Sequence, residues 1–143
     1  MKLKPTIRVG ALAGVSLCLL AASPSVKESM KSVVEPTTNV LFAVGGEVDP
    51  ANGPDAAKVS DARWQEAAVA AGKLKLAAAA LLQPDQAKPG ADWTMSAKQL
   101  GDLADTAEKA AKAKDGAKLA DTANALGDNC TACHSKYKPQ AGG

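Results

Sequence analysis

Aromatic side chains are scarce: Phe42, Trp64, Trp93 and Tyr137 make up 3% of the 143 residues. Such a chain, with alanine as its commonest residue, builds helices readily, because alanine has the best helix propensity. It fills a core poorly, because each methyl group buries little area. Histidine is scarcer still, with His134 alone. No Ser/His/Asp set appears and no second histidine is present for acid–base work, so no catalytic constellation stands out. No alternation of β-branched residues lasts long enough for a strand. No clustered basic surface of the kind a nucleic-acid binder carries is present. Long apolar runs are missing too, apart from one near the start that is too short to span a bilayer comfortably.

That one run belongs to an address. Lys2, Lys4 and Arg8 form a basic start, Val9 to Ala22 an apolar stretch, and small residues follow from Ala21 to Ser25. This is the three-part pattern of a secretory signal peptide, with a retained membrane anchor as its alternative. Cleavage after Ala22 or after Ser25 suits the need for small residues, so residues 1–22 are the expected leader (extending to 25 at most). Residues 23–143 then form a single domain. Cys18 lies within the leader, behind Leu17 rather than the small residue a lipoprotein cysteine requires. The mature chain therefore keeps only Cys130 and Cys133. Of the 17 basic residues the leader holds three and no acid, leaving 14 against 15 acidic residues, so the formal +2 becomes about −1.

Four segments carry apolar residues at helical spacing. The first runs from about Val26 to Val44 through Met30, Val34 and Leu41, and Pro36 is expected to kink or split it. Gly45 to Ser60, with Gly-Gly, Asp-Pro and Asn-Gly-Pro, reads as a loop. A second helix begins at a Ser60 or Asp61 cap and reaches about Leu82. A third runs from about Trp93 to Ala113, and a fourth from the Lys114-Asp115-Gly116 turn to about Tyr137. The last three are of similar length, roughly 30 Å each at 1.5 Å per residue. Equal helices on short connections predict an all-α fold, an antiparallel four-helix bundle.

Near the end of the fourth helix stands Cys130-Thr131-Ala132-Cys133-His134. C-x-x-C-H reads as the attachment site of c-type haem. Cysteines at i and i+3 share a helix face, so both thiols can reach the vinyl groups on one porphyrin edge, and the next histidine can offer a nitrogen to the iron. Zinc would need a further ligand pair. A thioredoxin-like pair prefers a helix start in a βαβ setting. A plain disulfide suits an exported protein but would leave His134 without a role.

Residues 26–138 resemble the class II c-type cytochromes, the cytochrome c-prime and c-556 group. The specific part of the likeness is Cys130-x-x-Cys133-His134-x-x-Tyr137-Lys138. The resemblance implies one covalently bound haem c, thioether links at Cys130 and Cys133, and proximal ligation by His134. Pro36 and the long loop after Gly45 depart from the simplest members. In an up-down bundle the end of the fourth helix meets the beginnings of the first and third, where Met30 and Met95 lie. Met30 is on the apolar stripe, whereas Met95 shares its face with Lys98, Gln99 and Asp102. Met30 is therefore the candidate sixth ligand, as the c-556 group implies, and a core-filling methionine is the alternative reading. The expected function is periplasmic electron carriage between redox partner proteins, with contact to the membrane only during export. A homodimer is left open. The alternative is a haem with an open sixth position that binds or senses a diatomic gas such as nitric oxide or carbon monoxide.

Overall fold

The computed structural model describes residues 23–53 and 58–138. The expected leader, Cys18 included, lies outside the described residues, as do the chain beyond Lys138 and the centre of the loop. Among the described residues every regular element is helical. Helix α1 is continuous over residues 26–48: an α segment Val26–Ser29, a π turn Met30–Val34 and an α segment Glu35–Val48. A 3-10 turn follows at Pro50–Asn52. Then come α2 at Asp61–Ala80, α3 at Ala91–Ala113 and α4 at Gly116–Tyr137.

Pro36 does not split the first helix. A proline has no N–H to give the carbonyl four residues back, and the widened turn just before it absorbs the defect. There the Glu35 N–H bonds the Met30 carbonyl, five residues back. Two threonines bond the carbonyls of the same turn with their side chains. Thr37 Oγ1 donates to Val33 O at 2.7 Å and Thr38 Oγ1 to Val34 O at 2.8 Å. The helix passes the proline at the cost of one loose turn, and Met30 opens that turn.

The loop also begins later than the glycines suggest. Gly45 and Gly46 are helical, and α1 ends only at Val48. Gly45 is there for closeness rather than for turning: a Cβ at this position would lie 2.8 Å from the Cβ of Ala123 on α4. Gly116 answers the same demand, since its Cβ would stand 2.5 Å from the Val48 carbonyl oxygen. Caps set the other ends. Ser60 accepts from the Arg63 N–H and Asp115 from the Lys118 N–H, each satisfying an otherwise free donor.

The apolar stripes of α2 and α3 are buried as their spacing predicts. Trp64, Ala67, Ala71, Leu74 and Ala78 face inward from α2, and Trp93, Ala97, Leu100, Ala104, Ala107 and Ala111 from α3. Contacts tie the helices in a consistent order. Lys114 pairs with Asp61 at 2.6 Å, Lys75 with Asp105 at 3.1 Å and Glu108 at 2.6 Å, and Trp93 Nε1 donates to Leu81 O at 2.7 Å. Arg63 pairs with Glu47 between α2 and α1. At the end of α4, Lys136 pairs with Asp92 at 2.7 Å, and Tyr137 packs edge-on to Trp93 with ring centres 5.1 Å apart. These contacts hold the Cys-x-x-Cys-His segment against the start of α3.

Candidate functional site

Cys130, Cys133 and His134 lie in the last two turns of α4, which is helical because Ala120, Ala123, Leu126 and their neighbours keep helical spacing up to Tyr137. Both cysteines are half-buried free thiols, and His134 is exposed. The three line one cleft of about 340 Å³, within the range of small-molecule and cofactor sites. Met30 lines the same cleft from α1, about a hundred residues away in sequence and half-buried. Met95 does not. It is 63% exposed on the outer side of α3, with Lys98, Gln99 and Asp102 exposed beside it.

The rest of the wall is mainly apolar, with Val34 and Phe42 from α1, Leu81 after α2, and Trp93, Ala97 and Leu100 from α3. Phe42 is 39% exposed although its neighbour Leu41 is fully buried. A ring left half-open at the rim of an apolar cleft is a surface suited to an apolar occupant. At the floor, Asn129 Nδ2 donates to the Ser96 carbonyl at 3.2 Å, while its Oδ1 is buried without a partner. A buried acceptor left unmet is costly, and Asn129 carries that cost beside the cleft it lines.

The thiols are not tuned for redox exchange. Burial pushes the Cys130 thiol above its ordinary pKa, and neighbouring Cys133 adds to the rise. Burial raises Cys133 as well, against the pull of a hydrogen bond with Ser96. Reactive thiolates need the opposite shift, typically at a helix N-terminus. These two sit near a C-terminus, where the helix dipole disfavours negative charge.

Among the described residues no three His, Cys, Asp or Glu side chains gather to hold a metal ion. One imidazole and one thioether beside two thiols in an apolar cleft could instead hold an apolar group that carries a metal of its own. Sequence reasoning singled out Met30, Cys130, Cys133 and His134, and the structure brings these four to one cleft. It missed the parts of Phe42, Ser96 and Asn129. Phe42 falls off the main α1 stripe, and Asn129 precedes the motif as an ordinary polar residue. The scarcity of rings was the one available clue to Phe42.

No protein-family model, curated protein or solved structure matches this chain. The functional reading therefore rests on the cleft and the motif.

Proposed function

We propose that the chain is an exported monohaem c-type cytochrome that carries single electrons in the periplasm, an antiparallel four-helix bundle of the class II kind. One observation carries this reading: Met30 and the Cys130-x-x-Cys133-His134 motif, distant in sequence, line one apolar cleft. The bundle reading draws support from contacts that pair α2 and α3 in reverse order, 61 with 114, 75 with 105 and 108, and 81 with 93.

Each residue has a definite task. Cys130 and Cys133 would hold the haem through thioethers, each thiol adding across a vinyl group with its hydrogen going to the other carbon, so that no oxidant would be required. His134 would hold the iron through an imidazole nitrogen and Met30 through its thioether sulfur. Val34, Leu81 and Leu100 exclude water and keep the local dielectric low. When bound, the haem iron supplies a one-electron ferric–ferrous couple. The soft sulfur of Met30 favours the ferrous form and raises the reduction potential. The exposed end of α4 is where redox partner proteins would dock. Among the described residues no helix is long and apolar enough to cross a membrane.

Visible spectra of the purified protein test the function. The expected wild type is six-coordinate and low-spin, and inert to carbon monoxide. Met30→Ala turns it high-spin, lowers its potential and admits carbon monoxide, whereas Met95→Ala does none of these. A wild type that is already high-spin and binds carbon monoxide freely would replace electron carriage with the gas-binding reading. A change on Met95→Ala instead would give the sixth position to the other methionine.

A further inference from the structure

Gln86 is a second buried side chain with an unmet oxygen. It sits after α2, 5% exposed, and its Nε2 donates to the Pro24 carbonyl at 2.6 Å across 62 positions of sequence. That bond fixes the orientation of the amide, because a flipped Gln86 would set its own oxygen against the Pro24 carbonyl, which only accepts. Gln86 Oε1 is left buried without a hydrogen-bond partner. A buried amide oxygen calls for a donor, and the neighbouring N–H groups are taken: those of Gln86 and Ala87 both bond the Gln83 carbonyl.

The chain just ahead of α1 is the segment Gln86 already holds, through the Pro24 carbonyl. Ser25 caps that helix, its side chain accepting from the Glu28 N–H at 3.2 Å and its carbonyl from the Ser29 N–H at 2.8 Å. Pro24 holds Gln86. Cutting after Ser25 would strip the helix of its cap and Gln86 of its partner, and would leave Val26 as the first residue, already helical. Cutting after Ala22 keeps both contacts and creates a new α-amino group one residue before Pro24.

We propose that the chain is cut between Ala22 and Ser23, and that the new α-ammonium group of Ser23 docks on the Gln86 side-chain oxygen. This rests on the reading of an exported protein. The cut is a hydrolysis by a signal-peptidase-type protease: water adds across the amide bond, leaving a carboxylate on Ala22 and an amine on Ser23. In the uncut chain Ser23 offers a single N–H fixed by the peptide plane, whereas an ammonium offers three that rotate. The cut thus completes the tie that pins the start of α1, the helix bearing Met30.

The test expresses the full chain in a Gram-negative host and determines the intact mass and N-terminal sequence of the purified product. Ser23 as first residue is the expected result. A product beginning at Val26 overturns the proposal and leaves export standing, while a product that retains the leader overturns the export reading and the proposal together. Docking is read from the rate of selective α-amino acylation at pH 7. The wild type should react about tenfold more slowly than Gln86→Leu, the effect of raising the amine by about one pKa unit. Equal rates in wild type and Gln86→Leu would overturn the docking.

Discussion

The two stretches of the core obey opposite packing rules. Through the middle of the molecule helices meet on small residues. Ala67, Ala71, Ala104 and Ala107 are fully buried, and Gly45 lets α1 press against Ala123. Around the cleft the side chains are large, with Trp93, Leu81, Leu100, Phe42 and Met30, yet they leave about 340 Å³ between them. Alanines and a few fully buried leucines such as Leu41 and Leu74 fill the middle, while several of the larger side chains line the cleft. A space lined this way has room for an occupant such as the haem proposed above.

The first way to break this comparison is to withhold the occupant. The apo protein should keep its helical signal in the far-ultraviolet while losing near-ultraviolet order, as a loosely packed state does. A sharp, cooperative melt of the apo form would show that the alanine faces pack adequately alone. Next in size is Leu41→Ala. Leu41 is fully buried between the helices, and its loss should cost about 2–5 kcal/mol by denaturant titration of the holo form. Its neighbour sharpens the contrast. Phe42→Ala should cost the holo protein about 1 kcal/mol more than the apo protein, because an occupied cleft would cover the 39% of the residue that the protein itself leaves exposed. Equal losses in both forms would mean that Phe42 packs against protein alone.

The smallest effect is that of pH. Both thiols are raised above their ordinary values by burial. A thiol with a raised folded-state pKa keeps its proton longer in the native state than in the unfolded one. The apo protein should therefore lose stability as pH climbs above about 8.5, where unfolded thiols ionise and folded ones do not. Thioethers have no proton to lose, so the holo form should show no such decline. Thermal melts of both forms between neutral and alkaline pH measure the difference.

Much of this contrast was legible in the sequence. The stripes of α2 and α3 follow helical spacing without interruption, so the periodicity alone located their buried faces, and the motif located the thiols and the imidazole. Two features of α1 were not legible. Pro36 signals a break, but the repair lies in a five-residue turn and in two threonine hydroxyls whose bonds no periodicity encodes. Gly45-Gly46 signals a turn, and only the nearness of Ala123 on another helix shows that the first glycine serves contact. Asn129 is a similar case. Its place on the cleft floor depends on the Ser96 carbonyl 33 positions away, and local sequence carries no trace of that pairing.

The central claim is that Cys130 and Cys133 hold one haem covalently in this cleft. Intact-mass measurement after co-expression with a haem-attachment system, followed by acid–acetone extraction, tests it most directly. The expected result is a mature chain heavier by one haem, with a pigment that survives extraction and with covalent attachment lost in Cys130→Ala and Cys133→Ala. An unmodified mass, or a pigment that passes wholly into acid–acetone, would contradict the account.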